Sequence, residues 1–98
     1  MTTSTLFRPG RILATPGALA TLEHAGQHAS EFVSRHLAGD WGVVGADDQA
    51  ANDESLRDGS RLLSAYVLAT DVKIWIITEA ADDHGNRAAT TVLLPDEY

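Results

Sequence analysis

The chain has 98 residues, 44% of them hydrophobic, and it carries 14 acidic against 7 basic side chains, for a net charge of −7. A chain of this length buries only about 60–65% of its unfolded surface, so it forms one small domain, expected to span residues 1–98. The excess negative charge argues against direct binding to nucleic acid or to an anionic membrane, and it favours a protein partner with a basic surface.

The chain contains no cysteine, which excludes disulfides, thiolate catalysis and zinc–thiolate sites. Because a secreted domain of this size would more often be stapled by disulfides, we expect a cytoplasmic protein. No run approaches the roughly 18 apolar residues of a membrane span. Residues 1–5 lack the charged and apolar regions of a signal peptide, and we expect residues 1–10 to be a frayed N-terminus.

Helix signals occupy residues 11–59. Residues 11–14 form a short apolar run that could be an edge strand. Thr15 and Pro16 then predict the N-cap and first residue of a helix that Gly26 ends. The second predicted helix opens at Ser30 and ends at Gly39, and its apolar stripe consists of Phe32, Val33, His36 and Leu37.

The third predicted helix begins at Asp47 or Asp48 and ends at Asp58, with Ala51 and Leu56 as its core candidates. Most of its surface is acidic. The pattern leaves open whether this segment is a helix or an ordered acidic loop.

The second half of the chain predicts a three-stranded antiparallel meander. Its strands fall at residues 61–69, 72–78 and 88–94, with a tight turn at residues 70–71 and a polar loop at residues 81–86. With two or three short N-terminal helices packed on this sheet, the predicted fold class is α+β.

The central predicted strand is apolar on both faces, since Ile74 and Ile76 point one way while Trp75 and Ile77 point the other. Three short helices are enough to cover only one face. We therefore expect the second face to serve homo-oligomerisation or a partner, the alternative being that the N-terminal segment folds across it.

Sequence motifs for nucleotide or nucleophilic chemistry are absent, and we predict no cofactor and no metal. His24 and His28 have the spacing of two metal ligands on one helix, but Gly26 lies between them and ends that helix.

His36 lies on the apolar stripe of the second helix, where a histidine is usually a hydrogen-bonded core group. The alternative is a general base oriented by Asp40. The groups that could line one face of the sheet for such chemistry are Arg61, Tyr66, Lys73 and Thr91. A small metal-independent ribonuclease-like toxin using His36, Arg61 and Tyr66 is therefore the alternative function.

Acidic side chains concentrate between residues 40 and 58, where Arg57 is the one cation. Carboxylates spaced in this way can stand in for phosphates and dock on a basic protein surface, with Trp41 as an apolar anchor. The plainer alternative is a solvated helix surface. The predicted partner-binding residues are Asp40, Trp41, Asp47, Asp48, Asp53, Glu54 and Asp58.

Four blocks of sequence together resemble a family of small bacterial plasmid-related proteins, and the resemblance extends over residues 11–98. The blocks are RHLAGDWG at residues 35–42, LLSAY at 62–66, IWIITEA at 74–80 and TTVLLPDEY at 90–98. Members of that family accompany plasmids and integrated mobile elements, and some are labelled as type I restriction enzyme subunits. Residues 80–89 form a longer loop than is usual in the family.

The resemblance implies a mobile-element setting and brings no catalytic residue with it. Such a setting favours small acidic proteins that inhibit restriction or CRISPR nucleases. We therefore expect a non-enzymatic accessory protein of a mobile genetic element that acts by protein–protein interaction.

Overall fold

Three helices and a four-stranded sheet make up the fold, which is α+β. A computed structural model of the chain describes residues 5–98. Its elements are β1 (Arg11–Ala14), α1 (Pro16–Ala25), α2 (Ala29–Leu37), α3 (Ala46–Asp58), β2 (Leu62–Val67), β3 (Lys73–Thr78), β4 (Ala89–Leu93) and a closing 3₁₀ turn at Pro95–Glu97. Among residues 5–98, no helix combines the length and apolar character that crossing a membrane requires.

The sheet has four strands in the order β1-β4-β3-β2, and it is mixed. The strands β2, β3 and β4 form the predicted antiparallel meander, while β1 pairs with β4 in parallel. The prediction of a purely antiparallel three-stranded sheet is therefore wrong in this respect. A parallel pair needs a long crossover, and this one contains all three helices and two strands, so local turn signals do not predict it.

The helices α1 and α2 cover one face of the sheet. Thr15 caps α1 through its side chain, which accepts a hydrogen bond from the backbone of Ala18 at 3.0 Å, and Gly26 ends the helix as predicted. The apolar stripe of α2 is buried at Phe32 and Val33. The core between these helices and the sheet consists of Ala18, Leu22, Phe32, Val33, Tyr66, Leu68, Ile74, Ile76 and Val92.

The helix α3 lies along the outer edge of β2. Its buried residues are Asn52 and Ser55, whereas the predicted core residue Ala51 is exposed. The side-chain amide of Asn52 donates to the backbone carbonyl of Leu63 at 2.7 Å, and its oxygen accepts from the backbone N–H of Leu63 at 3.0 Å. Leu56, the other predicted core residue, is half-buried, and the buried side chains of this helix are polar.

Residues 41–43 form backbone hydrogen bonds with the outer edge of β2. The backbone N–H of Ala65 donates to the carbonyl of Trp41, and the N–H of Val43 donates to the carbonyl of Ala65. Gly42 lies between them with a φ of 75°, and a Cβ there would overlap the Ala65 carbonyl oxygen. An edge whose hydrogen-bonding groups are used in this way does not recruit another strand.

The N-terminal segment packs on the helix-covered side of the molecule. Leu6 donates a backbone hydrogen bond to Leu37, and the ring of Phe7 contacts those of His36 and Trp41. Residues 5–10 are thus packed, where fraying was expected, and residues 1–4 lie outside the described residues. The alternative prediction placed the N-terminal segment across the second face of the sheet. Residues 5–10 do not cross that face.

The C-terminus instead reaches the second face. The ring of Tyr98 meets that of Trp75 edge-on, with ring centres 5.8 Å apart, and the Arg61 guanidinium lies over the Tyr98 ring. Beside Tyr98 is a shallow depression of about 270 Å³. The apolar side chains of this face are Leu63, Ala65, Val67, Trp75, Ile77 and Leu93. Ala65, Ile77 and Leu93 are buried, Leu63 and Trp75 are half-buried, and Val67 is exposed.

Candidate functional site

Six carboxylates, which we call the acidic surface, lie between residues 40 and 58 of the folded chain. They are Asp40, Asp47, Asp48, Asp53, Glu54 and Asp58, and all are exposed. Five of them belong to α3, whose one basic residue is Arg57. Because Asn52 and Ser55 make the buried contacts of this helix, most of its circumference is free to present negative charge.

Two members of the acidic surface are held by local hydrogen bonds. A side-chain hydrogen bond from Arg35, at 2.7 Å, holds the pKa of Asp40 below its usual value. Hydrogen bonds from Ser60, one of them from its backbone N–H at 2.8 Å, lower the pKa of Asp58 in the same direction. Both carboxylates therefore stay ionised at neutral pH and in mild acid.

Trp41 is the one predicted contact residue that the structure removes from the surface. Its side chain is only 5% exposed, and its ring stacks against Phe7 and meets the His36 ring edge-on. The indole N–H donates to a carboxylate oxygen of Asp53 at 3.3 Å. Trp41 thus anchors α3 to the core, and its burial means that it does not serve as an exposed anchor for a partner.

A chain of buried hydrogen bonds crosses the core at His36. Its Nδ1 lies 2.5 Å from the Ser64 hydroxyl and its Nε2 lies 2.8 Å from the Thr78 hydroxyl. The Thr78 hydroxyl is 2.7 Å from that of Thr90, which donates to the Pro9 carbonyl at 2.8 Å. His36, Ser64, Thr78 and Thr90 are each 0% exposed.

The Pro9 carbonyl fixes the direction of the hydrogen bonds between Pro9 and Nε2 of His36, because a carbonyl oxygen only accepts. Thr90 uses its one proton on Pro9, so it accepts from Thr78. Thr78 then accepts from His36, which places the imidazole proton on Nε2. In a neutral imidazole Nδ1 then accepts the Ser64 proton. A neutral His36 therefore has a single defined tautomer.

The electrostatics agree with a neutral His36. Burial, together with the positive charge of Arg87, lowers the pKa of His36 to about 4. A hydroxyl on each imidazole nitrogen resembles the layout of a nucleophile and its base. No substrate reaches it, however, because both hydroxyls and the ring are fully buried. The arrangement matches the predicted hydrogen-bonded core histidine.

The three residues of the ribonuclease alternative do not share a surface. Tyr66 is 1% exposed on the helix-covered face, and its hydroxyl donates to the backbone carbonyl of Asp40 at 2.6 Å. Burial raises the pKa of Tyr66 to about 12. Arg61 borders the second face, where its guanidinium contacts the Tyr98 hydroxyl. General acid–base groups and a phosphate-binding cation are thus not brought together in an accessible site.

Some residues of these sites escaped sequence reasoning. Thr78 and Thr90 complete the buried chain, and their sequence signal is only that each falls on the same strand face as buried apolar residues such as Ile76 and Val92. Lys73 and Thr91 do lie on the second face as suggested, but Tyr66 lies on the other one. His24 ends up in α1 and His28 caps α2, so they belong to different helices.

Comparisons of the chain with protein-family models, with curated protein sequences and with solved structures each find no match.

Proposed function

We propose that this protein is a non-enzymatic binding protein that docks its acidic surface on a basic surface of another protein. One observation carries the proposal: the buried residues of α3, Asn52 and Ser55, are polar, and its carboxylates are exposed with one cation among them. A helix that served only to cover the core would bury an apolar stripe instead. Concentrated negative charge speeds encounter with a basic partner and discriminates against acidic ones.

The rigid backing of the acidic surface supports the same proposal. The Trp41 indole holds Asp53, and the Asn52 amide holds the helix to Leu63. Asp40 is fixed by Arg35 and by the Tyr66 hydroxyl on its backbone. A preorganised array of carboxylates loses less conformational entropy on binding than flexible side chains would.

A nuclease of host defence is the partner class that this surface fits best. Such an enzyme carries a basic groove for the phosphates of DNA, and spaced carboxylates on a fixed helix can occupy that groove in their place. The resemblance to plasmid-related proteins favours the same partner, since a mobile element benefits from silencing restriction or CRISPR nucleases.

The decisive test compares two variants with equal net charge. The first neutralises the acidic surface through Asp47→Asn, Asp48→Asn, Asp53→Asn and Glu54→Gln. The control neutralises four exposed carboxylates elsewhere through Glu23→Gln, Glu31→Gln, Asp71→Asn and Asp83→Asn. Each is expressed in cells with an active restriction or CRISPR nuclease, and the efficiency of transformation by a targeted plasmid is measured.

We expect the wild type and the control to raise transformation efficiency, and the α3 variant to lose that protection. Affinity capture from the same cells after nuclease treatment should recover the defence nuclease with the wild type and the control only. Equal protection by both variants would show that the acidic surface is a solvated helix surface without a role in binding. Recovery of RNA without a protein would direct attention to the ribonuclease alternative instead.

A further inference from the structure

A groove of about 510 Å³ lies where the N-terminal segment, the end of α3 and the loop between β3 and β4 meet. Arg8, Arg57 and Arg87 line it, together with the apolar side chains of Phe7 and Leu56. We call it the arginine groove. Its volume is in the range of pockets that hold small organic molecules.

The charge of the arginine groove is opposite to that of the protein. Three of the 7 basic residues of the chain line it, and none of the 14 acidic residues does. Random placement would put about twice as many carboxylates as guanidinium groups in any such groove, given this composition. A pocket of this kind attracts an anion.

Arg87 forms the fixed part of the groove. Its guanidinium donates to the carbonyls of Ser55, Ser60 and Glu79 at 2.8–3.1 Å, and it lies 5.8 Å from the centre of the Phe7 ring. Within residues 5–98, the Asp58 carboxylate is near enough to interact with the charge of Arg87, but no carboxylate comes within salt-bridge distance of it. The carbonyl dipoles share its charge but do not cancel it, and two of its five N–H donors remain available.

Arg8 and Arg57 supply the adjustable part. Both are exposed, and the partner of Arg57 is Glu54 at 3.1 Å on the open surface of α3. An exposed ion pair of this kind contributes little, so the guanidinium can exchange Glu54 for a ligand. Guanidinium groups bind phosphate oxygens in pairs, which favours a phosphate over a singly charged carboxylate.

We propose that the arginine groove binds a small organic phosphate of nucleoside monophosphate size. Arg8 and Arg57 contact the phosphate, Arg87 adds its field from the floor, and the body of the ligand packs against Phe7 and Leu56. This site is separate from the acidic surface that is proposed to dock on a partner. The proposal is of binding alone, without a reaction of the ligand.

The test is an NMR titration of the full chain with AMP, with adenosine and with orthophosphate, each at constant ionic strength. The backbone amides of Gly10, Gly59 and Gly85, which line the groove, are the reporters. We expect AMP to shift them with a Kd on the order of 1 mM or tighter. Adenosine should leave them in place, and orthophosphate should bind more weakly than AMP.

Two double variants with equal net charge locate the site. Arg8→Gln with Arg57→Gln should weaken AMP binding by about tenfold or more, since two charge-assisted contacts are lost. Arg11→Gln with Arg61→Gln, outside the groove, should not change it. The variant with neutralised Asp47, Asp48, Asp53 and Glu54 should keep AMP binding, which separates this proposal from the docking function.

Several results would overturn the proposal. They are the absence of shifts with AMP, an equal response to adenosine, an equal affinity for orthophosphate, and unchanged AMP binding in the variant that lacks Arg8 and Arg57.

Discussion

Thr90 and Thr91 are neighbours on β4, and they point to opposite faces of the sheet. The hydroxyl of Thr90 is fully buried and bonds both Thr78 and Pro9. Replacing Thr90 with Val should lower the free energy of unfolding by about 2 kcal/mol, because the buried Thr78 hydroxyl and the carbonyl of half-buried Pro9 both lose a partner. The matched Thr91→Val should change it by less than about 0.5 kcal/mol. Urea unfolding measures both, and equal effects would contradict the buried chain.

His36 should make the protein less stable in mild acid. The folded state keeps the pKa of His36 near 4, whereas the unfolded chain titrates at the ordinary value of 6.5. Between these values the unfolded state binds the extra proton, so stability is complete above about pH 6.5 and falls as the pH falls. We expect a loss of about 2 kcal/mol between pH 7 and pH 5.

NMR titration of the imidazole signals identifies the residue responsible for this loss. His36 should titrate near pH 4 and show the Nε2–H tautomer above that pH. A midpoint for His36 near 6.5 would contradict both its burial and the assigned direction of its hydrogen bonds.

The sequence pattern within the helix α2 predicted which of its residues are buried. It did not predict the contacts of those residues with residues distant in sequence. The apolar stripe of α2 identified His36 as a core group, because helical spacing alone decides which residues share a face. Ser64 and Thr78 bond the His36 ring from two different strands, and Thr90 bonds Thr78 from a third, because strand pairing brings together residues far apart in sequence. The burial of Trp41 depends on Phe7, 34 positions earlier, which no local pattern indicates.

At the scale of elements, Asn52 decides how α3 is attached. Asn52→Ala removes two hydrogen bonds to Leu63 and reopens part of the β2 edge. We expect the free energy of unfolding to fall by about 2 kcal/mol and aggregation to increase, since an open strand edge invites pairing. Gln49→Ala deletes an exposed amide from the same helix and is the control. Equal stability of the two variants would show that α3 is held in another way.

The elements themselves were largely predictable, and their assembly was only partly so. The caps at Thr15 and Gly26 and the hairpin from β2 to β3 follow from local chemistry, and they are found as predicted. The position of β1 depends on a crossover through most of the chain. The attachment of α3 through Asn52 and Ser55 was not predicted, because both residues are polar and a search for apolar stripes does not select them.

For the molecule as a whole, the second face of the sheet is where self-association is expected. Tyr98 is 68% exposed itself, and its ring covers part of Trp75 while Arg61 covers the tyrosine ring. Removing this cover should expose the apolar centre of the face and leave the helix-covered core intact. The control is Leu19→Ala, because Leu19 is an exposed apolar residue on α1.

Tyr98→Ala should therefore increase both the binding of a hydrophobic dye and the dimer fraction in sedimentation velocity, relative to the wild type and to Leu19→Ala. The emission of Trp75 should shift to longer wavelength in the monomer, while buried Trp41 provides a constant background. Adding Trp75→Lys to Tyr98→Ala should restore the monomer, because a charge at the centre of the face opposes burial. If Tyr98→Ala stays monomeric without added dye binding, the second face is not a surface for self-association.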